Sequence, residues 1–163
     1  MRWRRWLLAV TGYLLVAGIV GLSAAAGWFY WDRVQTRGEQ AARALLPQLA
    51  AKEIPEVFAY DYQTVERSLA AAYPLLTPDY RQEFQKSANT QIIPEAKKRE
   101  VVVQANVVGV GVMSAKRDSA SLMVYLNRTV SDKSRQPLYD GSRLRVDFKR
   151  IGNKWLIAYI TPI

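Results

Sequence analysis

Residues 142–161, SRLRVDFKRIGNKWLIAYIT, decide the fold. Leu144, Val146 and Phe148 alternate with Arg143, Arg145, Asp147 and Lys149, the period-2 pattern of an antiparallel strand with one face buried and the other in water. Gly152-Asn153 follows, a two-residue hairpin signal because it supplies positive φ, so Lys154–Thr161 is predicted to pair back on Ser142–Ile151. Working outward, Ser119–Thr129 repeats the alternation, with Ala120, Leu122, Val124 and Leu126 opposed to Ser121, Met123, Tyr125 and Asn127. Before it, residues 100–114 (EVVVQANVVGVGVMS) form a β-branched run in which Gly109 and Gly111 allow a bulge or a close approach. Lys116-Arg117-Asp118 is a polar turn, and Ser131–Asp140, with Pro137, reads as a surface loop. The expectation is a four-stranded antiparallel meander.

Further toward the N-terminus the period becomes helical. Asp61 is placed to cap a helix over Tyr62–Tyr73 with Val65, Leu69, Ala72 and Tyr73 on its apolar face, and Pro74 closes it. Thr77-Pro78 is a second start signal, a cap residue followed by Pro at the first helical position, with Tyr80, Phe84, Ala88 and Ile92 on the buried side. Pro94-Glu95 starts a short turn before the basic group Lys97-Lys98-Arg99, read as solvated surface. Val34, Ala41, Leu45, Leu46, Leu49 and Ala50 recur at helical spacing in a connecting helix. It is predicted to kink or break near Ala44–Pro47 and to end at Ile54-Pro55, since the residue before proline avoids the helical region. The fold class is therefore α+β. Helices that precede an antiparallel sheet pack on its concave face and leave a cone-shaped cavity between the layers.

Leu7–Trp31 is 25 consecutive residues without a charge. At about 1.5 Å per residue, Trp6 to Trp28 spans roughly 33 Å, enough for one membrane crossing with some tilt. Trp3 and Trp6 mark one interface, and Trp28, Phe29, Tyr30 and Trp31 the other. Arg2, Arg4 and Arg5 before the run predict a cytoplasmic N-terminus and an extracytoplasmic, periplasmic-side main domain on the cell (inner) membrane. The expected organisation is a basic tail at 1–5, a transmembrane helix at 6–31, a connecting helix at 32–55 and an extracytoplasmic α+β domain at 56–163. A signal peptide cleaved after Ala24-Ala25-Ala26 is the alternative. The run is longer than an h-region of about 7–15 residues, and it continues into an aromatic cluster that suits an anchor. Ala17, Gly21 and Ala25 share one face of the span and form a candidate contact surface for another membrane helix.

Composition removes several classes of function. Net charge is +9, and +6 without Arg2, Arg4 and Arg5, scattered rather than gathered into a stripe with interleaved aromatics, so nucleic acid is not an expected partner. There is no Cys, hence no disulfide and no thiol chemistry. There is no His, which removes the usual near-neutral acid/base group and the commonest metal ligand. Glycines two apart in a strand are not a phosphate loop, so no cofactor and no metal is expected.

Several short strings, taken in order, resemble the Mce-associated membrane proteins of mycobacteria and related actinobacteria. They are Tyr60-Asp61-Tyr62, Leu76-Thr77 with Tyr80 and Phe84, the Val-rich Val101–Val112, Val124-Tyr125-Leu126-Asn127, Arg143-Leu144-Arg145-Val146, Trp155-Leu156-Ile157 and Pro162. Gly152-Asn153-Lys154 departs from the more usual Asp-Gly turn. The resemblance implies a nuclear-transport-factor-2-like outer domain, similar to the periplasmic domain of a type IV secretion scaffold protein. It also implies a non-catalytic accessory role: stabilising or assembling an Mce-type complex that imports lipids such as sterols and fatty acids, whose subunits would be the partners. Self-association stays open.

Two other functions are compatible with a cone-shaped cavity. One is a lipid-binding module with Tyr60, Asp61, Tyr62, Tyr73, Tyr80 and Trp155 as candidate lining. The other is a small isomerase or dehydratase using Asp61 between two tyrosines, against which stands the commoner role of an Asp before a helix as its cap. Arg143, Arg145 and Lys149 form a candidate docking face for an acidic partner or headgroups.

Overall fold

Ala42, Leu46, Ala50, Ile54 and Val57 recur every three or four residues and are all buried, which sets the face that the long N-terminal helix turns to the sheet. In this computed structural model, which describes residues 2–134 and 136–163 (for residues 2–17, 19–20, 24–25, 29 and 32 the backbone only), that helix is α1, Arg2–Phe58. The chain forms two compact units, Met1–Gly38 and Glu39–Ile163. In the first, the described backbone is helical throughout, Trp28, Tyr30 and Trp31 are exposed, and a Cβ added at Gly21 would meet nothing within 4 Å. Among the described residues no helix is long and apolar enough to cross a membrane. Most side chains of Leu7–Trp31, those of Ala17 and Ala25 included, lie outside the described residues.

The second unit carries the α+β fold. After α1 come β1 (Tyr60–Asp61), α2 (Val65–Ala72), a 3-10 turn (Tyr73–Leu75), α3 (Pro78–Ser87), a π-helical turn (Ala88–Ile92) and α4 (Ile93–Arg99). Then follow β2 (Val102–Ala115), β3 (Ser119–Ser131), β4 (Leu138–Ile151) and β5 (Lys154–Pro162). The sheet has five strands in the order β1-β2-β3-β4-β5, every neighbour antiparallel. Leu122 and Val124 of β3 pair with Val146 and Leu144 of β4 and, with Leu126, Phe148, Ile157, Leu76 and the buried stripe of α1, form the main core. Val65, Leu69, Ala88, Ala96, Val101 and Val103 form a second, smaller one.

Five expectations are corrected. The sheet has five strands rather than four, because Tyr60 and Asp61 pair with Val103 and Val102; two residues are too few to show a period. Asp61 does not cap α2. Thr64 precedes that helix, and the Asp61 carboxylate accepts instead from Gln63 N–H at 2.9 Å, closing an Asx turn. The long helix does not break at Pro47 or end at Pro55 but runs to Phe58: each interior proline costs about 3 kcal/mol, and burying Leu46, Ile54 and Val57, at about 1.5–3 kcal/mol each, is of the same order as the two together. Its phase also differs, with Leu45 exposed and Ala42 buried. Finally, β4 begins at Leu138, paired with Val130, so part of the expected loop is strand.

Other signals behave as read. Gly152 takes φ +61° at the β4–β5 turn, and a register shift interrupts β2 between Val107 and Gly109. Lys97, Lys98 and Arg99 end α4, where cations complement the helix dipole, and Glu100 in the left-handed region (φ 53°) stops it. All three are exposed, as expected, and two also make surface ion pairs, Lys97 with Glu66 at 2.6 Å and Arg99 with Asp132 at 2.9 Å. Thr77 is buried, and its Oγ1 accepts from Tyr80 N–H at 3.4 Å while its own N–H donates to Ile157 O at 2.9 Å, tying the start of α3 to β5. Thr77→Ala should therefore cost about 1 kcal/mol in urea unfolding, with Thr77→Ser recovering most of it; equal stability of Ala and Ser variants would show that the cap contributes nothing.

Candidate functional site

The C-terminal turn of α1 and the length of α3 hold two recesses open over the core face of the sheet. The smaller, about 220 Å³, is lined by Val57, Phe58, Tyr80, Phe84, Leu126, Arg128, Ser142, Leu144, Ile160 and Pro162. The larger, about 420 Å³, shares Val57, Phe58, Phe84 and Arg128 with it and adds Tyr60, Leu69, Ile92, Val103, Val130, Leu138 and Asp140. These two lobes of the cleft share the wall formed by Val57, Phe58, Phe84 and Arg128. A wider recess of about 530 Å³ lies at the β2–β3 turn, but its lining includes the exposed Ser114, Lys116, Asp118, Ser119 and Lys149, so it is a surface dip with little enclosure.

Polar chemistry enters the cleft at one place. Continuing the alternation of Leu122, Val124 and Leu126 along β3 puts Arg128 on the core face, among apolar groups. Its guanidinium donates to the Asp140 carboxylate and, at 3.4 Å, to Ser142 Oγ, and it lies 5.9 Å from the centre of the Phe58 ring. Ser142 Oγ in turn donates to Asp140 at 3.0 Å. These contacts, the Arg128 bond first, hold the Asp140 carboxyl below the usual carboxylate range. The Nε–H of Arg128 is buried and has no acceptor among the described residues. Burial raises the Tyr60 phenol above its ordinary value, with the Arg128 charge pulling the other way. Tyr80, with its ring 5.3 Å from that of Tyr159, is pushed up to about 12, mainly by burial and then by the charge of Glu83, so both phenols stay protonated at neutral pH.

Of the candidate lining residues, Tyr60 and Tyr80 enter the cleft, one in each lobe. Tyr73 packs edge-on against Phe84 behind it, Tyr62 packs on the second core and Trp155 on the main one. Asp61 lines neither lobe, and its carboxylate is bonded to the backbone of Gln63. The carboxyl that burial perturbs is a different one, Glu53 on α1. Among the described residues no group of three His, Cys, Asp or Glu side chains could hold a metal. Arg143, Arg145 and Lys149 are exposed on β4 as expected, but Arg145 is paired with Asp147 at 3.1 Å. The sequence reading missed Arg128, Asp140, Phe58 and Phe84 as cleft residues; only Arg128 carried a signal, as the one charge on an otherwise apolar strand face.

No family model matches the chain. It is 26% identical over 164 residues to a Mycobacterium tuberculosis protein named as an outer membrane protein, with all of both chains covered. To an uncharacterized protein of the same organism it is 25% identical over 166 residues, covering 97% of this chain and 75% of the other. Among solved structures it superposes on an IcmL-like type IV secretion system protein of Legionella pneumophila with a TM-score of 0.63 at 15% identity, over 74% of this chain and 93% of that one. The fold is that of VirB8-type periplasmic domains. The periplasmic domain of DotI matches with a TM-score of 0.63 at 13% identity over 74% and 94% of the two chains. VirB8 of Agrobacterium tumefaciens matches with a TM-score of 0.54 at 11% identity over 68% and 84%. The expected α+β architecture, helices on an antiparallel sheet, is present in residues 39–163.

Proposed function

We propose that the protein is a non-catalytic accessory factor of the bacterial envelope. In this reading Leu7–Trp31 anchors it by a single crossing, Arg2, Arg4 and Arg5 stay on the cytoplasmic side, and the α+β domain outside stabilises or assembles an Mce-type lipid import complex. The observation that supports the reading is a fold shared with type IV secretion system proteins in a chain similar over its whole length to a mycobacterial protein named as an outer membrane protein. The span rests on hydropathy, flanking charge and aromatic placement in the sequence. The partner's identity rests on the ordered motifs from Tyr60-Asp61-Tyr62 to Pro162. A non-catalytic role is supported by the engagement of Asp61 with backbone, away from the cleft.

The outer face of β4 is the docking surface in this reading. Arg143 and Lys149 have no ion pair among the described residues and are free to meet acidic groups, whereas Arg145 already meets Asp147. Affinity purification of the full chain in mild detergent should recover lipid-import subunits. Combining Arg143→Glu with Lys149→Glu should reduce that recovery severalfold without lowering the unfolding midpoint, because both side chains are in water. Recovery of no transport subunit by the unaltered chain would sink the accessory reading. Unchanged recovery by the double variant would remove the β4 face from it.

A further inference from the structure

We propose that the cleft beneath α1 and α3 is a binding site for a neutral single-chain amphiphile, with its apolar chain between Phe58, Phe84 and Val130 and its terminal oxygen on Arg128. The proposal does not depend on the accessory role. The larger lobe alone, about 420 Å³, falls within the roughly 300–1,000 Å³ typical of small-molecule sites. Val57, Phe58 and Phe84 line the second lobe as well, so the apolar wall extends beyond the larger lobe. A chain-like ligand fits that form.

The polar end selects the headgroup. Arg128 lines both lobes and is the only cationic side chain in either lining, so its guanidinium is the group on which a ligand oxygen can settle. The charge of Arg128 is already matched by Asp140, which also lines the larger lobe. A carboxylate headgroup would place a second negative charge beside Asp140 in a partly desolvated site, whereas a hydroxyl adds no charge. A hydroxyl can also donate, to Asp140 or to the Tyr60 oxygen, while it accepts from the guanidinium. Charge balance therefore favours a long-chain alcohol over the fatty acid of equal length.

The test is equilibrium dialysis of the full chain held in amphipol, against labelled 1-dodecanol and labelled dodecanoate at neutral pH, with amphipol alone subtracted. Saturable binding of the alcohol, tighter than that of the acid, is expected. Arg128→Met should remove the saturable component. Asp140→Asn leaves Arg128 as an unmatched cation and should raise dodecanoate affinity about tenfold, reversing the order of the two ligands. This second variant keeps the side-chain shape and decides the matter even where Arg128→Met fails to fold. Absence of saturable alcohol binding, preference of the unaltered chain for the acid, or an unchanged order in Asp140→Asn would each overturn the proposal. Recovery of transport subunits does not bear on any of these outcomes.

Discussion

Phe148→Ala should lower the unfolding free energy of residues 39–163 by about 3–5 kcal/mol in urea titrations of the full chain. Phe148 is 1% exposed and heads the fully buried side chains by size. Its strand neighbours are Ala120 on β3 and Ile157 on β5, so a small residue on one side and an aliphatic one on the other frame the ring within the sheet. Truncation removes an aromatic ring that Ala120 is too small to replace, and close-packed interiors relax only partly around such a gap. Without any Cys the unit has no cross-link to limit the loss, and domains of this size have about 5–15 kcal/mol to lose. The control is one residue away. Lys149 is exposed on the opposite face of the same strand, and Lys149→Ala should stay within about 0.5 kcal/mol of the unaltered chain. Similar losses for the two would show that the alternation read from β4 does not describe the folded sheet.

That alternation was legible because Arg143–Lys149 lies in a strand with one buried and one wet face, where hydrophobicity and geometry share a period of two. The same rule, carried two residues beyond Leu126, would have found Arg128; a charge on the core face of an otherwise apolar strand marks a polar feature inside. Nothing local marks the rest of the cleft. Phe58, the nearby pair Phe84 and Ile92, and Asp140 come from three separate stretches of the sequence, and each alone reads as ordinary core or surface. The phase of α1 was misread for a related reason. Ala41, Ala42, Leu45 and Leu46 place apolar groups on adjoining faces, and only packing against β3 and β4 selects Ala42 and Leu46. Asp61 attracted attention through its tyrosine neighbours, yet a short polar side chain next to a turn is satisfied most directly by nearby backbone, as the bond from Gln63 N–H shows.

Glu53→Gln should stabilise the protein by about 1–3 kcal/mol at pH 8 and by almost nothing near pH 4. Glu53 is 8% exposed on the face of α1 that also carries the fully buried Ile54, and its Oε2 has no hydrogen-bond partner among the described residues. Burial raises its pKa from 4.5 to about 7; the charge of Glu56 adds to the rise and that of Lys52 opposes it. The sign follows from proton counting. Between pH 4.5 and about 7 the native carboxyl holds a proton that the unfolded chain has released, so stability from this group is complete below 4.5 and declines as pH rises to about 7. Asp140 and Asp132, the latter held down to about 2 by its bonds to Ser134 and Arg99, act in the opposite direction but only in acid, and they are common to both proteins. The difference between variant and unaltered chain, measured by urea unfolding at pH 4.5, 6 and 8, therefore isolates Glu53. A gap that widens across that range is the expected result, because glutamine keeps the shape and never bears the charge that burial penalises. An equal gap at all three values would mean that Glu53 is solvated in the folded protein, and that the stripe from Ala42 to Val57 is less tightly closed on the sheet than its burial indicates.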